Sequence, residues 1–300
     1  MRTPEQAIEV IHGRFGSHPR HRALHAKGLW ATGAFTASDE AKQLSRAAHL
    51  QGAEIPVLVR LSNGGGNPKV PDYVPDVRGM AVSFELPDGS RTDLVSQSVP
   101  RFFASNPDEF LDFVKAGSGR MAALQIPRFL ATHPKALRHL PANAAALRPI
   151  PSFANCRFYG VHAFAWIDGQ GTTRHVRCDW RPEEGEERLS PPAAKKLGRD
   201  YLSEELAQRL ESGPVRWALD VQIAAPADAV DDPSVHWPSD RRRVDAGVLE
   251  LREIAADPET DGSIVVFDPV RLTDGIELTD DSVLRFRPRA YSVSADLRAG

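Results

Sequence analysis

The rhythm of apolar and polar positions changes several times along this chain, and each change marks an element. Ile8, Ile11 and Phe15 recur at helical spacing and predict a short helix over about residues 4–14. A basic, histidine-bearing loop, HPRHRALH, follows it. Three strand-like runs come next. GLWATGAFTAS alternates in its middle, IPVLVRLS is β-branched and apolar, and RGMAVSFELPDGSRTDLVS reads as a hairpin about Pro87-Asp88-Gly89. In SNPDEFLDFVKAG, Asn106 is a helix cap, Pro107 suits the first turn, and Phe110, Phe113 and Val114 share a face. Residues 119–148 mix Ala, Leu, Arg and His with prolines, which predicts short connected helices.

Strands return in FYGVHAFAWIDGQGTTRHVRCDWRP, where Asp168-Gly169 marks a hairpin turn. A helix near SEELAQRLES precedes a strand, VRWALDVQIAA, and a last β-type run, GSIVVFDPVRL. Antiparallel hairpins dominate and no βαβ alternation is visible. The expected fold is α+β, an antiparallel β-barrel core with connecting and flanking helices in a single domain over residues 1–300.

Composition narrows the classes of function. With 41% apolar and 26% charged residues among 300, the chain has the make-up of a soluble globular protein with a sizeable core. A formal charge of −3 argues against a general nucleic-acid surface. No apolar run approaches the roughly 18 residues of a membrane span. The N-terminal stretch carries no apolar signal segment, so the expected compartment is the cytoplasm. Cys156 and Cys178 form neither a disulfide framework nor a metal-type pair.

Four stretches carry chemistry, each with an ordinary alternative. In RALHAKG, His25 stands at a strand start three residues after Arg22; it reads as a structural residue or as an acid–base group. In LVRLSNGGGNPK, Arg60 and Ser62 share one face of an apolar strand. The three glycines after them fit a mobile loop or a close backbone approach; a phosphate loop is discounted because the Gly-Lys-Ser/Thr ending is missing. In DLVSQSVPRFF, Gln97 and Ser98 precede two phenylalanines, as in a strand end or a lined pocket. Finally, RFRPRAY gathers three arginines around Tyr291. Pro288 suits a first helical turn, which would put Arg287 at the helix start and Arg298 near the same side two turns beyond Tyr291. A solvated helix with snorkelling arginines has the same pattern.

Together these segments have an order and spacing that resembles the haem-containing catalase superfamily. RALHAKG, VRLSN, DVRGMAVSF, DLVSQSVPRFF, PSFANCRFYGVHAF, VVFDP and RFRPRAY carry the resemblance, from about residue 15 to residue 298. It is most similar to the small catalase-related peroxidases. The resemblance implies haem b (iron protoporphyrin IX) with Tyr291 as its axial metal ligand. Since a free phenol is overwhelmingly protonated at neutral pH, Arg287 is implied as the cation that keeps this ligand anionic. Arg22, Arg60 and Arg298 match the arginines that hold the propionates, and Phe110 matches an aromatic packed on the porphyrin. His25 matches the catalytic histidine, Ser62 the hydroxyl that orients it, and Gln97 the position of a catalytic asparagine.

Two departures shape the functional expectation. Gln97 keeps the amide of asparagine but adds a methylene, which moves the donor by about an ångström in a site sensitive to such shifts. Gly64 stands where the family usually has a bulky apolar residue, which implies a wider entrance. The implied enzyme is a peroxidase that reduces hydrogen peroxide or organic hydroperoxides with a small-molecule electron donor and has weak catalase activity. An allene-oxide-synthase-type rearrangement of fatty-acid hydroperoxides and a non-enzymatic haem-binding role are the alternatives. With little arm to exchange, a monomer or homodimer is expected.

Overall fold

A computed structural model describes residues 2–119 and 121–299. Helix α1 (Pro4–Phe15) is closed by a capping box between Thr3 and Gln6 and leads through an irregular loop to strand β1 (Gly28–Ala37). The short α2 (Asp39–Leu44) precedes β2 (Glu54–Asn63), β3 (Arg78–Glu85) and β4 (Arg91–Gln97). Three helices follow, α3 (Pro107–Ala116), α4 (Ala122–Thr132) and α5 (Pro134–Ala146). The second half holds β5 (Phe158–Tyr159), β6 (Phe164–Ile167), β7 (Thr173–Pro182), α6 (Pro191–Lys195) and α7 (Tyr201–Ser212). It ends with β8 (Val215–Ile223), β9 (Arg243–Ala255), β10 (Ile276–Leu278) and α8 (Ser282–Ala299).

Among the described residues, eight strands close into an antiparallel barrel in the order β1-β2-β3-β4-β5-β7-β8-β9, with β9 returning to β1. Strands β6 and β10 extend the sheet beyond β7. The expected α+β fold with a barrel core is therefore observed. Alternation explains the closure: Val57, Val59 and Leu61 of β2 point into a core shared with Phe35, Phe84, Trp180, Trp217 and Leu249. The opposite face of β2, with Arg60 and Ser62, is left for a different use.

That outer face is roofed by helices. Ala7, Ile8 and Ile11 of α1 pack with Leu111 and Val114 of α3, and Phe110, Phe286 and Val293 complete the cluster. Each fully buried aliphatic side chain contributes roughly 1.5–3 kcal/mol. Truncating Leu111 (1% exposed) to alanine should cost about 2–5 kcal/mol. The candidate site lies between this helical layer and the barrel wall.

Three local expectations are corrected. The helix carrying Tyr291 does not begin at Pro288 but at Ser282, so Pro288 sits in its interior. Asp281 provides the earlier start: its Oδ1 accepts from the amides of Val283 (2.8 Å) and Leu284 (3.0 Å). The hairpin after β6 is a longer loop whose left-handed residue is Gly171 (φ 83°), with Asp168 N–H bonded to Thr172 O. GSIVVFDPVRL is not a strand but an irregular segment crossing the site, held by Phe267 stacked on Trp30 at 5.6 Å. The missing strand partner is β9, which pattern reading left unassigned. Its Leu249 and Leu251 enter the barrel, while Glu250 and Arg252 pair outward with Arg216 and Glu54.

Candidate active site

The barrel register assembles one wall of the site. Gly28, Ser62, Gly79, Gln97 and Tyr159 pair in a continuous row across β1, β2, β3, β4 and β5, so their side-chain positions share one face. Arg60 lies one step along the same face of β2. His25 enters this row from the loop before β1. Its backbone is left-handed (φ 56°), and its amide is fixed by Gly64 O at 3.0 Å. Such strain in a non-glycine residue persists only where the surroundings over-determine it.

Two glycines make room for His25. A Cβ on Gly66 would lie 2.1 Å from Ala23 O, so the glycine-rich stretch is a backbone clamp on the His25 segment. A Cβ on Gly79 would lie 2.6 Å from both Nδ1 and Cε1 of His25 and 2.8 Å from Ser62 Oγ. The imidazole occupies the space that a side chain at Gly79 would take. Its Nδ1 is hydrogen-bonded to Ser62 Oγ at 3.0 Å. Burial, reinforced by the charges of Arg60, Arg287 and Arg22, lowers the imidazole to about 3, so it is neutral at physiological pH. The wider entrance expected at Gly64 is not found: a Cβ there would meet Val77 Cβ at 2.9 Å and Asp76 Oδ1 at 3.2 Å. Val77 and Asp76 fill the space that a side chain would occupy.

Three arginines from distant parts of the chain converge beside this wall. Arg22 and Arg60 both face the Trp30 ring, at 5.3 and 5.7 Å. Arg298, buried at the end of α8, reaches the same carboxylate as Arg22, that of Glu259. Among the described residues, Arg60 has no carboxylate of its own; its Nη2 reaches Ala26 O at 3.4 Å, and its Nε is buried with no acceptor. Burial first, then the proximity of Arg22 and Arg298, lowers this guanidinium to about 9, which leaves it cationic at neutral pH.

The facing wall is α8. One helical turn brings Arg287 to Tyr291, with Nε 2.9 Å and Nη2 2.5 Å from the phenolic oxygen. Both guanidinium nitrogens donate to the same phenolic oxygen. Arg287 is close enough to influence His25 electrostatically, which couples the two walls. Phe110 reaches the helical cluster from α3 and stacks with Phe102 and Phe103, each at 5.9 Å.

The expected site residues thus fall on two facing walls, with Phe110 on the helical side. Sequence reading missed Gly79, Glu259, His162 and Asp281. His162 Nδ1 meets Asp281 Oδ2 at 2.6 Å, both buried, and Arg287 is again among the charges acting on the imidazole. His162 alternates with apolar neighbours in FYGVHAF, a signal of burial but not of its partner.

The barrel's outer face joins a neutral histidine to an arginine cluster and an arginine-bound tyrosine, and the family model and relatives that the chain matches make it an oxidoreductase acting on peroxide. The catalase family model matches residues 16–300, and the chain belongs to the catalase family. It is 47% identical over 299 residues to a catalase-related peroxidase of Mycolicibacterium paratuberculosis, covering 99% of this chain and 95% of that one. It is 34% identical to a catalase-related peroxidase of Synechococcus elongatus, covering 99% and 88%. A fungal catalase crystal structure superposes with a TM-score of 0.83 at 23% identity, covering 94% of this chain and 60% of that one. Among the described residues, no helix is long and apolar enough to cross a membrane.

The donor set also fits the cofactor implied by resemblance. A planar group with two carboxylates and a metal needs cations, an anionic ligand and unspent donors. Arg60 Nε and Gln97 Nε2 are buried donors without a protein acceptor, and Tyr291 already receives two cationic donors.

Proposed function

We propose that this protein is a haem b peroxidase that reduces hydrogen peroxide or organic hydroperoxides with a small-molecule electron donor and has weak catalase activity. It acts as a single domain over residues 1–300, in the cytoplasm, as a monomer or homodimer. The observation that carries the reading is the Arg287–Tyr291 pair, at 2.9 and 2.5 Å, opposite a neutral imidazole. Tyr291 is the metal ligand and Arg287 holds its oxygen anionic. Arg22, Arg60 and Arg298 hold the two carboxylates, for which a planar guanidinium is better suited than an ammonium. Phe110 packs on the macrocycle. When bound, haem supplies the iron at which peroxide is reduced.

The remaining roles belong to this chain's own groups. In the tautomer whose Nδ1–H donates to Ser62 Oγ, Nε2 of His25 carries the lone pair and is the atom that takes and returns a proton. Gln97 Nε2 is free to donate to a substrate oxygen. Its side chain is one methylene longer than the family's asparagine, which displaces the amide donor and so favours external donors over a second peroxide in a tightly held pose.

The test is spectroscopic and then kinetic. Haem-loaded protein should give a high-spin tyrosinate-type spectrum and consume peroxide much faster with a reducing dye present than without one. Tyr291→Phe should lose stable ferric haem; a wild-type Soret band and activity in that variant would remove Tyr291 as the ligand. Donor-independent conversion of a lipid hydroperoxide to one isomer would overturn the peroxidase assignment.

A further inference from the structure

The arginine cluster is not open to an incoming anion, because one of the chain's own carboxylates is already seated in it. Arg22 grips Glu259 with both terminal nitrogens, Nη1 to Oε2 at 2.8 Å and Nη2 to Oε1 at 3.2 Å. Arg298 Nη1 donates to Glu259 Oε1 at 2.7 Å, and the amide of Val265 donates to the same oxygen at 2.9 Å. Arg22 Nη2 also donates to Val265 O at 2.8 Å. The strap over residues 257–265 is therefore tied across the cluster by the fork-shaped recognition that a propionate would use. Of these three arginines, Arg60 keeps a buried donor, its Nε, with no acceptor among the described residues.

Two cofactor carboxylates need more than Arg60 offers, and the other two arginines are spent on Glu259. We propose that Glu259 is a resident stand-in for one haem carboxylate, and that strap 257–265 is a gate that opens when that carboxylate takes its place. This rests on the haem-binding reading above. By population arithmetic, a gate closed nine-tenths of the time weakens observed haem affinity about tenfold. Such a gate would also hold the arginines in a satisfied arrangement before the cofactor arrives, since unpaired buried cations are costly.

The test uses the full-length chain freed of haem. Hydrogen exchange at the Val265 amide reports the strap directly, because Glu259 is its acceptor. That amide should be protected without haem and exchange faster after haemin is added. Haemin dimethyl ester, which has no free carboxylate, should leave it protected. In parallel, Glu259→Gln and Glu259→Ala should bind haemin about tenfold more tightly in a Soret titration. Unchanged or slower exchange at Val265 on loading, or weaker haemin binding by both variants, would overturn the proposal and make Glu259 a third anion retained beside the propionates. Equal opening by haemin and its ester would also overturn carboxylate exchange. A wild type that binds haemin while the strap stays closed removes only the gate. A wild type with no tyrosinate-type Soret band removes the haem reading as well.

Discussion

His25 shares its Nδ1 with a serine hydroxyl at 3.0 Å, whereas His162 shares its Nδ1 with the Asp281 carboxylate at 2.6 Å. Burial lowers both imidazoles below their ordinary range, and Arg287 adds to the effect on both. The partner makes the difference. A hydroxyl can donate or accept, so it steers the His25 ring without fixing its proton. A carboxylate only accepts, so His162 carries its proton on Nδ1, and Asp281 pulls against the lowering caused by burial. One ring is left able to pass a proton, and the other is locked as a strut behind the helix bearing Arg287 and Tyr291. A histidine's role here follows from what its second atom touches, more than from how deeply it is buried.

The comparison breaks most visibly at His25. Replacing it with alanine should leave haem bound but slow the reaction with peroxide by about 10²–10⁴-fold, the usual contribution of a positioned acid–base group. Stopped-flow rates near wild type would show that His25 moves no proton. The matching change on the other side should act on stability. Asp281→Ala removes the partner of His162 and the cap of α8 together; a buried N–H left without its acceptor costs about 1–3 kcal/mol and a lost cap about 0.5–2 kcal/mol. Urea unfolding should show that loss, while Asp281→Asn, which keeps a capping oxygen, should lose less. Equal midpoints for wild type and Asp281→Ala would remove the strut.

Gly79→Ala sharpens the contrast without touching either ring's chemistry. The added methyl would stand 2.6 Å from the His25 ring and 2.8 Å from Ser62, so the ring must move. Overpacking of this kind costs about 1–3 kcal/mol. The expected signature is a slowed peroxide reaction with an unchanged Soret band. An unchanged rate would mean that the His25–Ser62 geometry has slack.

Much of this was legible in the chain, for reasons that can be traced residue by residue. Strict alternation put Arg60 and Ser62 on the face opposite Leu61, and the i, i+4 spacing put Arg287 against Tyr291. Both relations are local, and local periodicity survives folding. The start of α8 was not legible from Pro288, because Asp281 caps the helix from a position that reads as an ordinary polar turn. Strand β9 was missed because its charged alternates, Glu250 and Arg252, find partners only on neighbouring strands. Glu259 lies 237 residues from Arg22 and stands in a loop that reads as solvated. Contacts made at such separation leave no periodic trace, and here they seat a carboxylate between Arg22 and Arg298.

The smallest expected effect is a flat profile, and it tests whether the half-buried His25 ring stays neutral. An unperturbed histidine titrates near 6.5, whereas His25 is lowered to about 3. Between pH 5 and 8 the ring stays neutral, so the peroxide reaction should show no step assignable to it. Stability behaves differently over the acid range. At position 25 the unfolded chain takes up a proton as pH falls through about 6.5, while the folded chain does so only near 3, so the contribution of His25 to stability falls with pH over that range. His49, buried beside Phe84 and also lowered to about 3, adds to that slope without facing the site. His49→Leu should therefore flatten the dependence of thermal midpoint on pH and leave the rate profile as it was. A rate inflection near pH 6.5 that survives this substitution would mean that His25 exchanges protons with solvent like a surface residue, and its distinction from His162 would then lie in exposure instead of partner.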